Sequence, residues 1–138
     1  MKVKRLSDDA MIPTRVTPGA HGYDIHTIER GYIPPGQRLK LNTGLAVQIP
    51  FGYAGCLRPR SGLADEAGIQ VMAGEIDSDF RGELKVILYN AGHAVVDIEP
   101  GDAIAQLKVH PVSLDEPQEV NDLDPSVRNQ SGFGSTGR

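Results

Sequence analysis

A short polar segment joins two apolar runs near the middle of the chain: Ala73-Gly74-Glu75-Ile76-Asp77-Ser78-Asp79-Phe80-Arg81-Gly82-Glu83. The run Gln70-Val71-Met72 precedes it, and Leu84-Lys85-Val86-Ile87-Leu88-Tyr89 follows it. Two such runs on either side of a glycine-containing segment predict a β-hairpin. Acidic residues and glycines are ordinary turn residues, so this segment taken alone indicates a solvated turn.

The composition of the chain favours an all-β fold built from short strands. Its 138 residues suffice for one domain whose core needs no metal or disulfide. Hydrophobic residues make up 39% of the chain and tryptophan is absent, so aliphatic side chains must fill the core. Sixteen glycines and ten prolines divide the chain into short segments, as in a β sandwich or barrel. One short helix is predicted, with Ser61 as its N-cap and Gly68 at its end.

The net charge and the cysteine content argue against several classes of protein. The net charge of −4 predicts no general affinity for nucleic acid or for an acidic membrane. No stretch is apolar enough to cross a membrane, and Met1–Leu6 lacks the apolar core of a signal peptide. Cys56 is the only cysteine, so no disulfide forms within the chain, and we expect its thiol in the core. We therefore expect a cytoplasmic protein.

Three further segments combine glycine with polar residues, and each suits a structural or a functional role. Gly22-Tyr23-Asp24 is most simply interpreted as a turn. In Arg58-Pro59-Arg60-Ser61-Gly62-Leu63, arginines precede the predicted helix start, which suits either a phosphate or a capped surface loop. In Gly101-Asp102-Ala103-Ile104-Ala105-Gln106-Leu107, the amide of Gln106 lies among apolar strand residues and must contact either core groups or a ligand.

The end of the chain reads Gly132-Phe133-Gly134-Ser135-Thr136-Gly137, a composition typical of a flexible tail. Phe133 has no core to join there, so stacking on a planar ligand would give it a contact. Closely spaced backbone N–H groups beside two hydroxyl side chains would suit a phosphate. The four histidines, His21, His26, His93 and His110, lack the spacing of a metal pair, and we expect none of them to be a ligand.

Taken in order, these five segments resemble the five motifs of the trimeric dUTPase family, and the resemblance extends from about Met1 to Arg138. It implies a jelly-roll-like β barrel (β-clip) over residues 1–124 with one short helix. It also implies a flexible C-terminal arm over residues 125–138, which closes over an active site of a neighbouring subunit in a homotrimer.

The resemblance implies a Mg²⁺-dependent hydrolysis of dUTP to dUMP and pyrophosphate, which lowers dUTP and supplies dUMP for thymidylate synthesis. Asp77 would orient and deprotonate the attacking water and would also contact the sugar 3′-OH. Asp24 would hold Mg²⁺ through water, with the ion bound mainly by the substrate phosphates.

The resemblance also assigns the substrate contacts. The main chain at Ala73, Gly74, Ile76 and Lys85 would read the uracil, and Phe80 would pack against the deoxyribose. Phe133 would cap the base from the arm. The residues implied to hold the phosphates are Arg60, Ser61, Gly62, Gln106, Arg128, Gly134, Ser135 and Thr136.

The chain departs from the family pattern at five positions, which are His21, Glu75, Phe80, Ala103 and Asn129. Glu75 stands where the family usually has an aliphatic residue, and Ala103 where it usually has arginine or lysine.

Two rival functions share this fold. The first rival is a dCTP deaminase, which places a catalytic glutamate at the position of Ile87. The second rival is a nucleotide-sensing regulatory protein.

Overall fold

A computed structural model of the chain describes residues 1–130. Its elements, in chain order, are β1 (Lys2–Arg5), β2 (Tyr23–His26), β3 (Gly31–Ile33), β4 (Arg38–Gln48), β5 (Tyr53–Arg58), α1 (Ser61–Ala67), β6 (Ile69–Met72), β7 (Glu75–Ile76), β8 (Glu83–Asn90), β9 (Val96–Ile98) and β10 (Ala103–Pro111). Within the described residues, no helix is long and apolar enough to cross a membrane.

Two four-stranded antiparallel sheets form the barrel. Sheet I has the order β1-β4-β8-β6, sheet II has the order β2-β10-β5-β7, and β3 pairs with β9 in a separate ribbon. Apolar side chains alternate along the strands, so that one face of each sheet turns inward. The two inner faces meet in one aliphatic core, which includes Leu57, Leu84, Leu88 and Leu107. The expectation of an all-β, jelly-roll-like barrel with one short helix is confirmed.

The predicted hairpin is confirmed for its two long strands but not for its turn. β6 pairs with β8 from Ile69↔Asn90 to Met72↔Ile87. The chain then leaves sheet I, and β7 pairs with β5 in sheet II. The departure occurs at Ala73 and Gly74, whose φ angles are 58° and 117°. The segment that looked like a solvated turn therefore links the two sheets.

The helix begins at Ser61, and the prediction that Ser61 caps it is wrong. Arg60 is the N-cap, with extended backbone (φ −80°, ψ 136°) and no side-chain capping bond. Its guanidinium bonds instead to groups in sheet II, so the side chain serves that contact while the helix starts one residue later. Gly68 ends the helix in the left-handed conformation at φ 69°, as expected.

Candidate active site

A buried carboxylate, an amide and a guanidinium meet at one end of sheet II. Asp24 on β2 lies directly opposite Gln106 on β10, and its side chain is only 8% exposed. Gln106 Nε2 donates to Asp24 Oδ1 at 3.3 Å, and Arg60 Nη2 lies 3.3 Å from Asp24 Oδ2. Arg60 Nη1 also donates to the carbonyl of Ala103 at 3.1 Å. We call Asp24, Arg60 and Gln106 the Asp24 cluster.

The neighbours of this cluster explain two of the sequence motifs. A Cβ on Gly22 would lie 3.0 Å from Cβ of Gln106, so a larger residue there would crowd the Gln106 side chain. Ser61 and Gly62 begin α1 directly after Arg60. Four predicted phosphate-binding residues, Arg60, Ser61, Gly62 and Gln106, are therefore brought together. Sequence reasoning missed the Ala103 carbonyl as an anchor for Arg60, because no side-chain pattern marks a backbone acceptor.

A gap opens where β7 separates from β8. Gly74 accepts a hydrogen bond from Leu57 N–H at 2.8 Å, and Ile76 pairs with Gly55, so this segment bonds only toward sheet II. Lys85 pairs with Asn42 on the far side of β8. Within residues 1–130 no ladder joins β7 to β8. Among the described residues, β7 has no partner on the side away from β5, and β8 at Lys85 has none on the side away from β4; such backbone groups are suited to bind the hydrogen-bonding edge of a planar ring.

The side chain of Lys85 does not face this gap. It is exposed on sheet I, with Nζ 3.8 Å from Glu83 Oε2. Any contact of Lys85 with a ring in the gap would therefore be through its backbone, as the resemblance implied.

Asp77 follows β7 directly, at the edge of sheet II. Its carbonyl accepts a hydrogen bond from Phe80 N–H at 3.2 Å, which closes a tight turn. Arg81 Nη1 donates to the carbonyls of Ser78 and Phe80, each at 2.7 Å, and holds that turn in place. Asp77 is exposed and lines an open cleft of about 430 Å³. The ring of Phe80 lies over Gly82, where a Cβ would approach Phe80 Cζ to 2.8 Å.

Asp77 does not meet the Asp24 cluster within one chain. β7 and β2 are the two edges of sheet II, with β5 and β10 between them, so they lie about 14 Å apart. Asp77 comes one residue after the Gly55↔Ile76 pair, whereas Gln106 is opposite Arg58. That offset of four residues along β5 adds about 13 Å. The candidate base and the candidate phosphate site are two separate parts of a single chain.

Cys56 lies outside the core, so its expected place was wrong. It is half-buried on β5, between the buried residues Gly55 and Leu57, because alternation turns its side chain to the outer face of sheet II. Burial raises the pKa of the thiol, and the neighbouring Glu75 carboxylate raises it further. The nearby Arg58 guanidinium partly opposes this rise in pKa.

The donor set around Asp24 fits a Mg²⁺ ion held mainly by phosphates. Asp24 is the one carboxylate of the cluster, and residues 1–130 contain no group of three or more side chains able to hold a metal alone. Mg²⁺ commonly uses one or two carboxylates together with substrate phosphates and water. A single buried carboxylate beside a phosphate site matches that pattern.

The remaining predicted residues are placed as follows. Phe133, Gly134, Ser135 and Thr136 lie outside the described residues. Arg128 is exposed, beyond the last strand. Ile87 stands where a deaminase would need its glutamate, and it lies half-buried on β8. It lines an open cavity together with Met72 and Ala73, and no carboxylate of residues 1–130 lines that cavity.

The antiparallel barrel and a cluster whose donors suit a phosphate fit the class of nucleotide-binding β proteins. A family model described as dUTPase matches residues 8–137, and the chain belongs to the dUTPase family. The family resemblance read from the five motifs is thereby confirmed.

Individual relatives match 90% or more of the chain. The chain is 46% identical to a deoxyuridine 5′-triphosphate nucleotidohydrolase of Nautilia profundicola, over 100% of this chain and 99% of the relative. It is also similar to a mutant Staphylococcus bacteriophage 80alpha dUTPase with dUpNHpp (TM-score 0.93, 28% identity, 99% and 98% covered). A mutant dUTPase from phage phi11 of S. aureus, described with a structural Mg(II) ion, has a TM-score of 0.83 at 27% identity, covering 90% of this chain and 98% of the other.

Proposed function

We propose that this chain hydrolyses dUTP to dUMP and pyrophosphate in the cytoplasm, with Mg²⁺, in sites shared between the subunits of a homotrimer. Membership of the dUTPase family and the nucleotidohydrolase relatives support the reaction. The proposal of a shared site rests on one observation. Asp77 is separated from the Asp24 cluster both along and across sheet II. A neighbouring subunit would bring the two parts together.

Base selection follows from the gap between β7 and β8. Backbone groups at Ala73, Gly74, Ile76 and Lys85 present fixed donors and acceptors to the uracil edge. Cytosine would set its amino group against a backbone donor and leave buried groups unpaired, at a cost of about 1–3 kcal/mol each. The flat ring of Phe80, already stacked over Gly82, would pack against the deoxyribose and leave no room for a 2′-OH.

Water activation falls to Asp77. Its exposed carboxylate would accept a proton from the water that attacks the α-phosphorus and would accept a bond from the sugar 3′-OH. A carboxylate near a triphosphate is repelled, by about 4 kcal/mol for each pair of unit charges 4 Å apart at an effective dielectric near 20. Arg60, whose charge is balanced by Asp24, would contribute directed N–H donors, and bound Mg²⁺ would supply the charge neutralisation at the phosphates.

Asp24 would mainly orient the two side chains that it contacts. It holds Arg60 and Gln106 with both carboxylate oxygens, so their remaining donors face the phosphate site in a fixed arrangement. We assign it the water-mediated contact to Mg²⁺. The arm would add Arg128, Gly134, Ser135 and Thr136 to the phosphates and Phe133 to the base.

The test is an assay of the purified protein with each deoxynucleoside triphosphate and with UTP, with pyrophosphate and ammonia measured separately. We expect pyrophosphate from dUTP and neither product from the others. Ammonia from dCTP would contradict the proposal and favour the deaminase alternative, which the apolar Ile87 opposes. Tight dUTP binding without turnover would favour the nucleotide-sensing alternative.

A further inference from the structure

Two cations extend the Asp24 cluster along the outer face of sheet II. Arg58 on β5 lies directly opposite Gln106, so its backbone is about 5 Å from that residue. Lys108 lies two residues after Gln106 on β10, about 7 Å along the strand and on the same face. Both residues therefore lie on the same face of sheet II as Gln106, and the Arg58 guanidinium also lies near the Cys56 thiol.

Neither cation has a carboxylate partner among residues 1–130. The ion pairs in that part of the chain are Arg30–Glu99, Arg60–Asp24 and Lys85–Glu83, so Arg58 and Lys108 have no carboxylate oxygen within 4.0 Å there. Lys108 is also half-buried, which makes an unpaired charge more costly than it would be in open solvent. An anion bound at this face would relieve that cost.

The Asp24 cluster itself carries no net charge. The positive charge of Arg60 is cancelled by Asp24, and Gln106 is neutral. Ala103, whose carbonyl accepts the hydrogen bond from Arg60, adds no charge. A condensed phosphate chain carries several negative charges, so the cluster as it stands offers dipoles and no surplus cation.

We propose that Arg58 and Lys108 form an outer extension of the phosphate site, which binds the condensed phosphate chain of the substrate and the pyrophosphate that leaves. This inference rests on the proposed function, because it takes the Asp24 cluster as the phosphate site. Arg58 supplies a forked guanidinium, and Lys108 supplies a point charge one strand away. The two cations supply the positive charge that the Asp24 cluster lacks.

A purely structural role is the competing explanation. Glu75, Cys56 and Lys108 occupy one row across β7, β5 and β10, and Arg58 lies beside that row. The two cations would then only balance the charge of Glu75. In that case their removal would change stability and leave anion binding intact.

The test measures inorganic pyrophosphate binding by calorimetry, on the assembled full-length protein at fixed Mg²⁺ and ionic strength. We expect Arg58→Gln and Lys108→Gln each to weaken pyrophosphate binding about three- to tenfold, because each variant loses one charge-assisted contact. Binding of dUMP, which lacks the outer phosphates, should be unchanged. Lys4→Gln, on an exposed strand of sheet I, is the matched control and should bind pyrophosphate as the wild type does.

Unchanged pyrophosphate affinity in both variants would overturn the inference. Equally weakened pyrophosphate binding by Lys4→Gln, or equally weakened dUMP binding by the two test variants, would also overturn it, since either result indicates a non-specific effect. Turnover of dUTP by the wild type is measured separately. Pyrophosphate binding through these residues without dUTP turnover would refute the proposed function and keep the anion site.

Discussion

Glu75 on β7 lies directly opposite Cys56 on β5, on the outer face of sheet II. The carboxylate that breaks the family pattern is therefore directed to the thiol of a neighbouring strand, whereas Ile76 packs toward the core. This relationship explains how a charged residue is tolerated beside the backbone that we propose reads the base. Its charge lies on the sheet face, where Arg58 is also close to the same thiol.

Removing the charge of Glu75 should make the Cys56 thiol more reactive. Burial is the larger cause of the raised pKa and stays in Glu75→Gln, but the carboxylate contribution is lost. At a fixed mildly alkaline pH the thiolate fraction rises, and we expect alkylation to be about two- to fivefold faster. The measurement is the rate of reaction with iodoacetamide. Glu99→Gln, which removes an exposed carboxylate, should react as the wild type does, and a Glu75→Gln rate at or below wild type would contradict this account.

The same raised pKa predicts a pH dependence of stability. The folded state binds the thiol proton more tightly than the unfolded state, so the stabilisation is complete below the ordinary thiol pKa. It is lost as the pH rises from that value through the raised pKa of the folded protein. Cys56→Ala should therefore lose less free energy of unfolding between pH 8 and pH 10 than the wild type. Urea melts at several pH values measure it, and parallel curves for the two proteins would argue against it.

Gly74→Ala should damage the base site as well as the fold. Gly74 has φ 117°, and a Cβ there would lie 3.0 Å from the Leu57 carbonyl that belongs to β5. We expect a loss of about 1–3 kcal/mol in the free energy of unfolding and a raised KM for dUTP, because β7 must move.

The matched control for this change is Gly36→Ala. Gly36 also has a positive φ, 75°, but apart from Gly36 itself and its two chain neighbours no heavy atom of the described residues lies within 4 Å of the place that a Cβ would take. It should lose stability through backbone strain alone and keep the wild-type KM. Equal KM values for the two variants would show that the position of β7 does not determine base binding.

Much of the barrel follows from local pattern, because alternating apolar residues define the faces of β4, β8 and β10. The crossing of residues 73–82 between sheets does not, since it depends on the long-range pairing of β7 with β5. The cap at Arg60 was missed for a similar reason. Its conformation is determined by bonds to Asp24 and Ala103, which are distant in the sequence.

The site was predictable only in part. Motif order identified Asp24, Arg60 and Gln106, and the structure brings these three together. The sequence contained no signal for the charge balance of the cluster, or for Arg58 and Lys108 as its neighbours. Those features depend on strand register, which places Arg58 opposite Gln106.

Deleting residues 132–138 should lower kcat strongly and leave the fold intact. The last strand of the described residues ends at Pro111, so the deletion removes none of the described strands. The proposed contacts of Phe133, Ser135 and Thr136 with the nucleotide would be lost. Steady-state kinetics and a thermal melt measure the two effects. Wild-type turnover in the truncated protein would refute the role assigned to the arm.

In the proposed enzyme, Asp77 of one subunit acts on a nucleotide held by the Asp24 cluster of another. Asp77→Asn should bind nucleotide without hydrolysing it, and Arg60→Gln should lose activity through its phosphate site. The decisive measurement mixes the two inactive variants in equal amounts, under conditions that exchange subunits, and follows pyrophosphate release from dUTP. Random trimers would pair an intact Asp77 with an intact neighbouring cluster in about one quarter of their sites, so we predict recovery of about one quarter of wild-type activity. No recovery from trimers shown to be mixed would contradict the shared site.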